Sequence, residues 1–159
     1  MIDIRPATPD DVPVILRFVH ELAAFEREPD AVKATEPMLT AALFGPHPAA
    51  EAVIAESDGV AVGHAIFFHN FSTWEGKRGL YLEDLYVTPS ARGRGIGRAL
   101  LRHLARLAVE RDCARFEWSV LDWNEGAIAL YRALGARALD DWTIQRLDGD
   151  ALRRLAVGR

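Results

Sequence analysis

Hydrophobic and polar positions recur along this chain in two rhythms, and each rhythm marks a different kind of element. Residues 80 to 87 are rich in aromatic and branched side chains and read as a strand. Thr88-Pro89-Ser90 ends that strand, because proline cannot donate to a ladder. Beyond it Ile96, Leu100, Leu101, Leu104, Leu107 and Ala108 recur at helical spacing, so a helix begins inside the glycine cluster 93–97 and ends near Asp112. Upstream, Ile2 to Arg5 is a short strand closed by Pro6. A helix follows with Val12, Ile15, Leu16, Val19, Leu22 and Ala23 on its apolar face. Its cap is Thr8 or Asp10, and Pro13 favours the later one. An acidic, irregular connection from Phe25 to Asp30 leads to a short helix that starts after Thr35, with Pro37 in its first turn, and stops at Gly45-Pro46.

Glu51 to Glu56 and Val60 to Phe71 read as two strands joined at Asp58-Gly59, a strong hairpin signal. Thr73 to Gly79 is a polar turn into the central strand. Downstream, Arg115 to Leu121 is a further strand. Asn124 caps a helix carrying Ala127, Leu130, Tyr131 and Leu134, and Gly135 terminates it. Two short strands, near Arg137 to Leu139 and Trp142 to Leu147, precede a frayed terminal helix. The order β-α-α-β-β-β-α-β-α-β-β implies an α/β (α+β) fold with a mixed, mostly antiparallel sheet flanked by helices. Its 159 residues suit one domain, 1–159.

The glycine cluster changes the picture from architecture to chemistry. A helix start offers unpaired N–H groups and the positive end of the helix dipole, which suit an anion. Arg92, Arg94 and Arg98 add full charges, so the stretch reads as a phosphate cradle. A dinucleotide fingerprint would need a third glycine at 98, where Arg98 stands, and no P-loop run of Gly-Lys-Ser/Thr exists. The bland alternative is an ordinary glycine-rich turn. The pattern Arg92-x-x-Gly95-x-Gly97, directly after a strand and opening a helix, resembles the acetyl-CoA pyrophosphate loop of the GCN5-related N-acetyltransferases, the GNAT superfamily.

Further segments resemble the diamine branch of that superfamily, which includes spermidine/spermine and thialysine acetyltransferases. They are Ile4 to Thr8, Glu21 to Glu26, Leu80 to Val87, Arg92 to Gly97, and Trp123 to Glu125 with Ala129 to Ala136. The resemblance implies the GNAT fold, acetyl-CoA as cosubstrate and a homodimer. It also implies that backbone at Leu85, Tyr86 and Val87 pairs with the pantetheine arm. Arg92, Gly93, Arg94, Gly95, Ile96, Gly97 and Arg98 would then hold the pyrophosphate, with Asn124 beside the cofactor. Tyr131 matches the tyrosine that protonates the leaving thiolate. Phe25, Glu26 and Glu83 match substrate-contacting positions, Glu117, Trp118 and Ser119 lie on the matching strand, and Asp141 belongs to the acidic cleft wall. The chain departs from the family where Arg27 and Pro29 interrupt the acidic stretch after the first helix, and in detail over Glu117 to Asp122. The amine is therefore left open.

Direct transfer requires a deprotonated amine, a polarised carbonyl and a proton for the thiolate. An alkylamine with a pKa of ~10.4 arrives as ammonium, and Glu83 or Asp84 is placed to accept its proton. Strand alternation puts these neighbours on opposite faces, and the resemblance favours Glu83; the bland alternative is a solvated carboxylate. Tyr131, a phenol of pKa ~10, is otherwise a core aromatic. A bulge in the central strand would leave a backbone N–H to polarise the carbonyl.

Charge and composition narrow the remaining classes. The net charge of −4 gives no reason to expect nucleic acid, although basic residues cluster around 92 to 115. Arg98, Arg102 and Arg106 read as a solvated face. The single cysteine, Cys113, reads as packing and fits a reducing compartment. With no signal-like start and no apolar run of membrane length, a cytoplasmic protein without membrane contact is expected. His20, His47, His64, His69 and His103 lack ligand spacing, so no metal site is expected. Trp74, Trp118, Trp123 and Trp142 read as core or cleft walls. The function expected is acetyl transfer from acetyl-CoA to a cationic small-molecule amine: a diamine, polyamine or lysine-like compound. The alternatives are an amino acid or antibiotic amine as acceptor, or a non-catalytic acyl-CoA-binding module.

Overall fold

The computed structural model describes residues 1–158, which form two compact units, Met1–Trp123 and Asn124 onward. The first carries a five-stranded sheet in the order β1 (Ile2–Pro6), β2 (Glu51–Ser57), β3 (Val60–Ser72), β4 (Lys77–Val87), β5 (Phe116–Trp118). The first four strands pair antiparallel, whereas β5 runs parallel to β4. A parallel neighbour needs a crossover, and α3 (Ile96–Glu110) supplies it. Its buried face is Ile96, Leu100, Leu101, Leu104 and Ala108, the periodic set read from the sequence, with Leu107 at the margin. The helices α1 (Val12–Phe25) and α2 (Glu36–Phe44) complete the unit. Phe18 of α1 and Phe67 of β3 are among the largest fully buried side chains.

The β2–β3 hairpin turns at Asp58 (φ 52°) and Gly59 (φ 78°), and the successive positive φ values match the twist of the flanking strands. Thr35 caps α2, accepting from the Met38 N–H at 3.4 Å, and Gly45 follows its last residue. The helix α1 is entered through a 3-10 turn, Pro9–Asp11, whose N-cap is Thr8, one of the two expected caps, while Asp11 rather than Asp10 stands at the N-cap of α1. The Thr8 N–H donates to Asp11 at 2.7 Å, and Arg5 grips the same carboxylate with two N–H groups at 2.7 and 2.9 Å. That guanidinium holds the Asp11 carboxyl down at about 2.

Three more boundaries move. The central strand begins at Lys77, inside the expected turn, because Lys77 to Gly79 pair with Ser72 to Asn70 of β3. The expected strand Arg115 to Leu121 contracts to Phe116–Trp118, whose ladder ends opposite Leu82. Trp74 is 82% exposed and Trp142 72% exposed, so neither is a core tryptophan. His64 is fully buried edge-on against Phe18, and burial pushes its pKa down to about 3. It is a neutral core imidazole.

In the second unit, α4 (Glu125–Ala133) is capped by Asn124, whose Oδ1 accepts from the Ala127 N–H at 3.3 Å. Gly135, at φ 90°, closes the helix as expected. The helix α5 (Gly149–Ala156) comes later. The two final strands do not form among the described residues. Residues 137 to 147 instead hold a turn in which the Trp142 N–H donates to the Leu139 carbonyl at 3.2 Å. Trp142 and Ile144 alternate as a strand would, yet no strand pairs with them, and extended chain without a partner ladder does not become sheet.

Candidate active site

The phosphate cradle is built from backbone. β4 ends at Val87, a 3-10 turn covers Pro89–Ala91, and the chain then passes through Gly93 (φ 75°) and Gly95 (φ 80°) before entering α3 at Ile96. Positive φ is cheap only without a Cβ. A Cβ added at Gly93, Gly95 or Gly97 would meet nothing within 4 Å, so open space lies where the first N–H groups of α3 converge. That space and those donors fit a pyrophosphate. Arg98 is exposed beside them. Arg92 donates through Nε to the Val87 carbonyl at 3.0 Å, and Arg94 donates through Nη2 to Ser57 Oγ at 3.1 Å. The Arg94 side chain is thus engaged with the end of β2, leaving its backbone to the loop.

The central strand carries the expected bulge, and the structure gives its position. Asp84 pairs with Ile66 and Leu82 with Phe67, so Glu83 is the extra residue on β4. The β4–β5 ladder stops at the same point, with Leu82 opposite Trp118. From Glu83 to Val87 no strand pairs with the β5-facing edge among the described residues. Leu85 to Val87 therefore present a strand edge next to the cradle, and an amide-bearing arm fits such an edge as an added strand does.

Three carboxylates face one another electrostatically. Asp84 is half-buried, and burial, then Glu83, then Glu26 push its pKa up to about 6. Burial also raises Glu26. Glu83 is exposed on its bulge. Burial and these neighbours thus raise the proton affinity of Asp84, one of the two residues weighed for proton acceptance, which strand alternation alone does not reveal. An aromatic stack adjoins this cluster at the end of α1. The Phe25 and Trp123 rings lie 5.8 Å apart, the Arg92 guanidinium sits 5.0 Å from the Phe25 ring centre, and that of Arg27 sits 4.1 Å from Trp123.

Residues 16–136 match the acetyltransferase (GNAT) family. The chain belongs to the GNAT family. It is 40% identical to thialysine N-epsilon-acetyltransferase of Sus scrofa over 164 aligned positions, 96% of each chain. It is 31% identical to L-ornithine N5-acetyltransferase of Arabidopsis thaliana, over 96% of this chain and 86% of that one. Among solved structures, an integron cassette protein from the mobile metagenome of V. cholerae superposes with a TM-score of 0.80 at 28% identity, covering 98% and 97% of the two chains. As a GNAT member the chain is an acetyl-CoA-dependent N-acetyltransferase.

The remaining residues expected at a GNAT site fall in separate places. Glu117 and Trp118 lie on β5. Ser119 follows it and shares a hydrogen bond with Tyr81 Oη at 2.9 Å, tying the strand end to β4. Asn124 and Tyr131 lie in the second unit, where Tyr131 is on α4 and half-buried. Asp141 is exposed in the turn that replaces the expected hairpin. Glu21 went unrecognised in the sequence. Its carboxylate accepts from Tyr86 Oη at 2.6 Å and fastens α1 to β4 beside the stack. Its place on a helix face with Arg17 at i−4 gave no hint of that partner. Among the described residues no three His, Cys, Asp or Glu side chains gather as a metal site, and no helix is long and apolar enough to cross a membrane.

Proposed function

We propose that this GNAT enzyme acetylates the terminal primary amine of a small molecule with a second charged group, of the diamine, polyamine or lysine-like class. The observation that carries this reading is the Glu26–Glu83–Asp84 carboxylate group at the bulge where β4 parts from β5. Negative potential there draws a cation and holds it near the open strand edge. Relatives named for thialysine and ornithine, both amino acids with a side-chain amine, support the same class.

The family's pattern supports a role for each residue. The N–H groups from Gly93 to Arg98 hold the pyrophosphate and the edge from Leu85 to Val87 holds the pantetheine, and the family's pattern assigns Asn124 to the cofactor as well. When bound, acetyl-CoA supplies an acetyl group activated as a thioester. Asp84, with Glu83 beside it, takes the proton from the incoming ammonium, directly or through water. A backbone N–H at the bulge polarises the carbonyl. Tyr131 Oη gives a proton to the departing sulfur. Phe25, Glu26, Glu117, Trp118 and Ser119 line the amine side, and Asp141 is proposed to add negative charge for the amine. This assignment treats residues 1–159 as one catalytic domain. A cytoplasmic setting is supported by the single cysteine, and a homodimer by the exposed Trp142, Ile144 and Leu155, which seek cover. The direct test is an acetyl-transfer screen over amine classes, reading release of the CoA thiol. Turnover led by diamines, polyamines or ω-amino acids is expected, and thiol release with no amine acetylated would overturn the reading.

A further inference from the structure

One cation beside the amine site is left without a task by the proton chemistry. Arg27 directly follows Glu26 in the turn that ends α1, and it holds φ at 66°, a left-handed conformation that a residue with a Cβ adopts at a cost. The turn is closed by backbone bonds from the Arg27 N–H to the Ala24 carbonyl at 3.1 Å and from the Glu28 N–H to the Ala23 carbonyl at 2.9 Å. The turn sets the direction in which the Arg27 side chain leaves the backbone. The guanidinium lies 4.1 Å from the Trp123 ring centre, closer than any other arginine–aromatic contact among the described residues.

A guanidinium stacked on an indole has one face covered, while its N–H fork stays available in the ring plane. No carboxylate of the chain takes that fork among the described residues, although Glu26 and Glu28 flank Arg27 in sequence. The fork matches a carboxylate, which it binds with two parallel hydrogen bonds. The order Glu26-Arg27-Glu28 is acid, base, acid, the complement of a head group that carries an ammonium and a carboxylate on one carbon.

We propose that Arg27 reads the α-carboxylate of the acceptor, so that the enzyme prefers ω-amino amino acids to diamines of equal chain length. This rests on the function proposed above and names the substrate class within it. The terminal amine of such a molecule lies toward Glu83 and Asp84, and its α-ammonium lies against Glu26 or Glu28. The interrupted acidic stretch is then a matched charge pattern, and Arg27 is a specificity-determining residue rather than a catalytic one.

The test compares lysine with cadaverine and ornithine with putrescine, pairs that differ only by the carboxylate. In the native protein kcat/KM is expected to favour the amino acid of each pair. Arg27→Gln keeps much of the stem over Trp123 and removes the charge, and Arg27→Gly removes the side chain while suiting the positive φ. Each is expected to lower the lysine-to-cadaverine ratio by about tenfold or more, chiefly through KM, since a hydrogen bond to a charged group is typically worth about 1.5–3 kcal/mol. Arg27→Lys is expected to recover only part of the ratio, because an ammonium lacks the fork. Retained thermal stabilisation by CoA shows that each variant is folded. Cadaverine leading lysine in the native protein, or a ratio unmoved by both variants, overturns the role of Arg27 and leaves the acetyltransferase reading standing. Absence of transfer to all four amines, with CoA still stabilising the protein, overturns the amine class proposed above.

Discussion

The cradle at the start of α3 and the carboxylate group at the β4 bulge, to which the proposed function gives one reaction, are made of different material. The cradle is backbone: two glycines at positive φ and the first N–H groups of a helix. The carboxylate group is side chains, and its character comes from burial and from neighbours distant in sequence, Glu26 at the end of α1 beside Glu83 and Asp84 on β4. A backbone site tolerates little change at a few positions. A side-chain site is tuned by degrees, through desolvation and charge, and this is where members of one fold diverge in substrate.

The largest expected effect breaks the side-chain half. Tyr131→Phe removes one hydroxyl, and loss of general acid catalysis typically costs ~10²–10⁴-fold. We expect a fall of that order in kcat with CoA binding retained, measured by thiol release and calorimetry side by side. An unchanged kcat, with chemistry shown to be the slow step, returns Tyr131 to packing.

Gly95→Val addresses the backbone half. At φ 80° a β-branched residue is strained, and its side chain occupies space that is now open. The rise in melting temperature that CoA confers on the native protein by mass action should be lost in this variant. Binding of CoA by Gly95→Val at native affinity would show that the cradle does not depend on the loop's shape.

Asp84 sharpens the comparison through pH. Its folded-state pKa, about 6, lies above the ordinary aspartate value because burial and the neighbouring Glu83 and Glu26 oppose ionisation. The folded state therefore binds this proton more tightly than the unfolded chain, and ionised Asp84 costs stability above pH 6. That cost is relieved as pH falls from about 6 toward 4. Asp84→Asn should raise the melting temperature at pH 8 by about 2–6 °C and erase an acid limb near pH 6 in kcat/KM. A limb that persists in Asp84→Asn would show that Asp84 is not the group behind it.

The same contrast explains what could be read from the chain. Local chemistry was legible: Asp58-Gly59 as a hairpin, Thr35 and Asn124 as caps, Gly135 as a terminator, and the strand–glycine–helix order of the cradle. These signals act within a few residues. The bulge was expected, but its position at Glu83 depends on the register against Ile66 and Phe67. The raised pKa of Asp84, the Tyr86–Glu21 bond and the Arg27–Trp123 stack join segments tens of residues apart, and no local pattern records them. The two final strands failed for the converse reason. Trp142 to Leu147 has a strand's alternation, but alternation cannot supply a partner ladder.

The central claim is that negative potential at the bulge selects a cationic amine. The most direct test is the ionic-strength dependence of kcat/KM for a doubly charged amine beside a neutral-tailed one of equal length. Screening should lower the first steeply between about 0.01 and 1 M salt, as the Debye length contracts from ~30 to ~3 Å, and leave the second nearly flat. Glu26→Gln should shrink the difference through KM. Equal, salt-independent values for the two amines would contradict the account.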